Sequence, residues 1–151
     1  MVNINNRDDI FSRLTNLKAD AEPLFGKLSP QQMVEHLYGT VMLSNGNYPE
    51  NFCIGESEAV RLREDIIISA NDFPMELKAP LMGEEPPATE TCSLPQAIER
   101  LKEELEAFDN YFAQNKDAKP MNPITGALDR DEWIVFHNKH FTHHFKQYNL
   151  L

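Results

Sequence analysis

The stretch Asp129–Tyr148, DRDEWIVFHNKHFTHHFKQY, decides the reading of this chain. Asp129 is suited to cap a helix start, and Glu132 three residues later completes a capping box. Such a pair satisfies backbone N–H groups that a helix start otherwise leaves open. From there Trp133, His137, His140, His144 and Gln147 recur at spacings of four and three, which puts them on one stripe of a helix. Ile134, Phe141, Phe145 and Tyr148 form the neighbouring stripe. A bundle helix buries an arc of roughly 100°, and the two stripes together fill it. His140 and His144 are therefore expected to point inward. His143 lies one ridge away, toward the edge.

Four of the five histidines in the chain sit in this helix. A buried imidazole is costly unless each ring nitrogen finds a partner. An inward pair at i and i+4 can share a metal ion, because the two side chains stand one above the other. The same spacing also describes two core histidines bonded to backbone or carboxylate. A metal site needs at least one further ligand, and His36 is the remaining histidine. It adjoins the apolar Leu37, and a helix packed against the last one could bring it across. Three histidines leave an ion with an open position, the arrangement of catalytic zinc sites, whereas structural zinc takes four protein ligands and often cysteine.

Working outward, LSPQQMVEHLYGTVMLSNG predicts the helix that carries His36. Ser29 is its N-cap, Pro30 its first residue, Gln32 the partner in a capping box, and Gly46 its stop. A first helix is expected over Arg7–Leu17, from Ile10, Phe11, Leu14 and Leu17. Another opens at Ser93, with Leu94, Ile98, Leu101, Leu105, Phe108 and Phe112 as its apolar stripe. Ser57–Ile68 reads as a short helix or, from its run of three isoleucines, a buried extended piece. Asn71–Thr91, with Pro74, Pro80, Pro86 and Pro87, reads as loop, serving either as a lid or as plain cover for the core. GKLSPQQM and GALDRDEW share the pattern G-x-L-[SD]-x-x-[QE]-[MW], which fixes where the two histidine-bearing helices begin. Four substantial helices and no paired-strand signal give an all-α four-helix bundle. It forms a single domain over residues 1–151, with a long, partly irregular connection across 47–93.

Composition bounds the function. With 41% hydrophobic and 25% charged residues, the chain has the make-up of a globular domain with one core. A formal net charge of −10 repels phosphate backbones and anionic headgroups, so the expectation is no nucleic acid and no membrane as partner. Cys53 and Cys92 lie outside any CxxC or Cys-His spacing and read as two separate thiols. The start, MVNINNRDDIF, lacks an apolar run and a small-residue cleavage site, and the expectation is a cytoplasmic protein.

FGKLSPQQMVEHL and NPITGALDRDEWIVFHNKHFTHHFKQYNL resemble the DUF1569 family, a branch of the DinB/YfiT-like superfamily. The middle, Asn47–Ser93, matches less clearly. The resemblance implies an up-down-down-up bundle holding a divalent metal, zinc or nickel, on three histidines. Carried over by position, the ligands are His36, His140 and His144. Gln147 matches the glutamine of the family, either to orient a ligand or to cap backbone. His137 and His143 fall outside the triad. His137 is the weak candidate for a catalytic role, as a base or proton relay, against a satisfied core-edge histidine; Glu35 adjoins His36 but projects about 100° away from it on the helix and is expected to be solvated. Relatives in the superfamily include thiol-dependent transferases and isomerases. The expectation is a metal-dependent enzyme acting on a small molecule or thiol, by hydrolysis or thiol transfer. The alternative is a non-catalytic module that binds metal or ligand, with the bundle forming a homodimer or docking onto another protein.

Overall fold

The computed structural model describes residues 1–47, 54–73 and 85–151. Among these it has five α-helices: α1 (Arg7–Leu14), α2 (Pro30–Ser44), α3 (Glu56–Arg63), α4 (Leu94–Gln114) and α5 (Arg130–Gln147). Both expected capping boxes are formed. The Ser29 hydroxyl accepts from the Gln32 N–H at 3.2 Å, and the Gln32 carboxamide oxygen accepts from the Ser29 N–H at 2.8 Å. Asp129 and Glu132 repeat the exchange at 3.1 and 3.0 Å. The two glycines of the repeated pattern, Gly26 and Gly126, have φ of +79° and +88°. Only a residue without a Cβ adopts that backbone freely.

Two expectations change, and one open reading is decided in favour of helix. The first helix ends at Leu14, not Leu17: Thr15 caps it, and the Leu17 N–H bonds the Leu14 carbonyl at 3.1 Å. Leu17 is buried all the same. The Ser57–Ile68 segment is helical, and its isoleucines form a π-helical turn over Glu64–Ile68, closed by the Ser69 N–H on the Glu64 carbonyl at 2.8 Å. That turn buries Ile66 and leaves Ile68 exposed. A two-stranded antiparallel ribbon, β1 (Met121–Asn122) with β2 (Gly126–Ala127), stands where no strand pairing was expected. The Asn122 side chain accepts from the Ile124 and Thr125 N–H groups at 3.0 and 3.2 Å and builds the turn between them.

The core is continuous. It takes Met33, Leu37 and Val41 from α2, Leu101, Leu105 and Phe108 from α4, and Trp133, Phe141 and Phe145 from α5. α2 packs most extensively against α4. Ala97 turns fully inward, and Ile98, expected in the apolar stripe of α4, is half-buried. The start of the chain lies on α5: the Val2 N–H donates to Thr142 Oγ1 at 2.8 Å, and the Ile4 N–H to Asn138 Oδ1 at 2.7 Å.

The lid-or-cover question for Asn71–Thr91 falls largely on residues 74–84, outside the described residues, as does Cys53. Cys92 is exposed and forms no disulfide among the described residues. The end of that segment is held to α2, with Gln32 Nε2 donating to the Pro87 carbonyl at 2.7 Å and the Tyr38 hydroxyl to Glu90 at 2.9 Å. Among the described residues no helix is long and apolar enough to cross a membrane.

Candidate metal centre

α2 and α5 lie in contact, and their histidines meet between them. His36 Nε2 stands 2.9 Å from His140 Nε2, and His144 Nε2 stands 3.1 Å from the same atom. The three potential ligand atoms all fall within 4.8 Å of one another. His140 and His144 are buried, and His36 is half-buried. Nitrogens bound at ~2.0–2.1 Å to one ion stand about 3.3 Å apart at tetrahedral angles and about 2.9 Å apart at right angles. The two closest separations therefore fit a shared cation. The donor set, three imidazole nitrogens, suits zinc, nickel, copper or iron.

The protonation of His144 follows from its neighbours. Gln147 Nε2 donates to the Phe25 carbonyl at 2.6 Å, so the amide oxygen faces the other way, 3.0 Å from His144 Nδ1. Reversing the amide would set two carbonyl oxygens against each other. Nδ1 of His144 must then carry the proton, and Nε2 offers its lone pair to the cluster. His140 Nδ1 is buried without a hydrogen-bond partner among the described residues.

Burial pushes all three imidazoles down from their ordinary value. His36 falls to about 4, with the neighbouring His143 adding to the effect of burial. His140 lies well below, through burial and then His144 and His36. His144 also lies well below, through burial and then His36, while its bond to Gln147 pulls the other way. All three are neutral at neutral pH, the form that binds metal.

His137 sits apart from this group. It is fully buried, stacked on Trp133 with ring centroids 5.2 Å apart, and its Nε2 lies 3.0 Å from Ser44 Oγ. Its hydrogen bonding is with α2, not with the three converging imidazoles. His143 is half-buried at the edge, between the rings of Phe25 (5.2 Å) and Phe73 (5.7 Å). It lines a cavity of about 50 Å³ with Phe25, Phe73, Lys139, Thr142 and Lys146 among its walls.

Two residues near the site went unread in the sequence or were misread. Phe73 packs 5.3 Å from the His140 ring and covers the histidines, but its position in a proline-rich stretch gave no periodic signal. Glu35, expected to be solvated because it projects away from His36, is 8% exposed. Its carboxylate accepts from the Glu90 and Thr91 N–H groups, both at 2.9 Å, and from the Thr91 hydroxyl at 2.6 Å. Burial pushes this carboxyl up, and the bonds from Thr91, Glu90 and Gln31 outweigh it, so it lies below the usual range. Sequence spacing reports the direction of a side chain on its helix, but not the loop that covers it.

No curated protein and no solved structure matches this chain. A family profile described as "Protein of unknown function (DUF1569)" matches residues 1–149. By that match, which spans nearly the whole sequence, the chain belongs to the DUF1569 family.

Proposed function

We propose that His36, His140 and His144 hold one divalent metal ion, zinc or nickel, with a coordination position left open. The observation that carries this reading is the meeting of three neutral imidazole nitrogens within 4.8 Å of one another, across two helices. Nothing else in the described core needs three imidazoles at one point. On the same reading the helices form a four-helix bundle of the DinB/YfiT-like kind, in up-down-down-up order, with α3 and the ribbon as additions between the main helices.

An ion in such a site supplies Lewis acidity, lowering the pKa of a water or thiol that reaches it. The chain would contribute orientation and exclusion of water. Gln147 holds His144, Phe73 covers His140, and the cavity beside His143 gives a small molecule a place next to the site. The reading is therefore a metal-dependent enzyme of hydrolase or thiol-transferase type acting on a small molecule. A second reading, a non-catalytic metal-binding module, is favoured by the unequal commitment of His137, whose bonding to Ser44 takes the weak catalytic candidate away from the site.

Elemental analysis of untagged protein, reconstituted with zinc or nickel and freed of excess, tests the site. Close to one ion per chain is expected, and a ratio near zero at micromolar free metal would reject it. Turnover by the loaded protein against panels of esters and of thiol-plus-electrophile pairs separates enzyme from binding module.

A further inference from the structure

We propose that Gln147 is a positioning residue for the metal centre, and that the Phe25–Gly26 turn is what positions Gln147. The proposal rests on the metal reading above and adds a device that controls it. Gln147 is 3% exposed and has both ends of its amide engaged, one on His144 Nδ1 and one on the Phe25 carbonyl. The backbone joins in the opposite sense, because the Leu24 N–H donates to the Gln147 carbonyl at 2.8 Å. The turn and the last residue of α5 are thus clasped by two antiparallel bonds.

Gly26 makes the clasp sterically allowed. A Cβ placed there would lie 2.4 Å from Gln147 Nε2, and the backbone is already left-handed at φ +79°. A side chain at position 26 would therefore push Gln147 off the Phe25 carbonyl, although residue 26 touches no histidine in the cluster. Once Gln147 turns, His144 loses the acceptor that keeps its proton on Nδ1. The proton can then move to Nε2 and occupy the lone pair that faces His36 and His140. Outer partners of ligating histidines typically change metal affinity by about 10–100-fold when removed.

The experiment compares Gln147→Leu, Gln147→Glu, Gly26→Ala and the Gly26→Ala/Gln147→Leu double variant with wild type. Zinc affinity is read by competition with a chromophoric chelator. The ¹⁵N spectrum of the metal-free protein reads which nitrogen of His144 carries the proton. Gln147→Leu and Gly26→Ala are each expected to weaken zinc by about 10–100-fold and to shift the His144 proton away from Nδ1. Gln147→Glu keeps an acceptor for the His144 Nδ1–H but loses the donor to the Phe25 carbonyl, so it should retain the Nδ1–H signature with only part of the affinity. The double variant should bind no more weakly than the worse single one, because both act through one contact. Wild-type affinity in the two singles, or full additivity in the double variant, would overturn the proposal. A purely structural Gln147 would lower the folding midpoint while leaving the affinity of folded protein and the His144 spectrum unchanged, and that result also overturns it. If wild type itself binds no metal, the metal reading fails, and the spectrum of the metal-free protein still decides whether Gln147 sets the tautomer of His144.

Discussion

His137 Nε2 stands 3.0 Å from Ser44 Oγ, and the Ser44 hydroxyl donates to the Val41 carbonyl at 2.6 Å. The serine proton is committed to Val41, so His137 is the donor in its own bond, and its unprotonated Nδ1 is left buried without a partner among the described residues. Ser44→Ala removes the acceptor and strands a buried N–H. The expected cost is about 1–3 kcal/mol of stability, read by urea unfolding, with metal content unchanged. A variant as stable as wild type would mean that this bond is not formed in solution.

The pH dependence of the metal-free protein has a fixed sign. An imidazole in an unfolded chain titrates near ~6.5. Burial, with the positive charge of Arg7 adding to it, pushes His137 down to about 3. Between those values the unfolded chain binds more protons than the folded one, so stability falls as pH drops. The contribution of His137 is full above ~6.5 and is lost progressively down to about 3. His137→Gln should flatten the decline of the urea midpoint across that window. Parallel curves for the two proteins would contradict the burial of a neutral His137.

Substitution separates the four histidines of the site region. His36→Ala, His140→Ala and His144→Ala are each expected to abolish tight metal binding, because two imidazoles hold an ion far more weakly than three. His143→Ala should keep near-wild-type affinity, since its ring lies between Phe25 and Phe73 rather than among the ligand atoms. Isothermal titration with zinc checks this. Equal loss in all four variants would reject the assignment of ligands.

Glu35 anchors the segment that leads into α4. Glu35→Ala leaves the Glu90 and Thr91 N–H groups without their acceptor. Amide exchange at those two positions should accelerate, and stability should fall by about 1–3 kcal/mol. Unchanged exchange at residues 90 and 91 would show that the carboxylate does not hold them.

The legible part of the fold was local. Ser29 with Gln32, and Asp129 with Glu132, announce helix starts because each pair makes its bonds within one turn. The meeting of His36 with His140 was legible for a different reason: both lie on the apolar faces of capped helices, and two such faces bury each other. What stayed hidden depends on contacts between distant segments. The ribbon has strands of two residues, too short to show alternation. The docking of Val2 and Ile4 on α5 uses backbone donors, which no side-chain pattern reports. Glu35 was misread because its partners at 90 and 91 come from a stretch with no periodicity, and the Gly26–Gln147 contact spans the chain from end to end.

The reach of α5 back to the start of the chain also sets an order in time. Val2 bonds Thr142, Ile4 bonds Asn138, Phe25 bonds Gln147 and His36 meets His140. During synthesis the first 128 residues emerge without the helix that all four need. Until it leaves the ribosome, α2 can pack on α4, but the N–H groups of Val2 and Ile4 and the side of α2 that carries His36 wait without their α5 partners. A nascent chain stopped before Asp129 should therefore be a client for chaperones, and completion of the last helix should be the event that releases it.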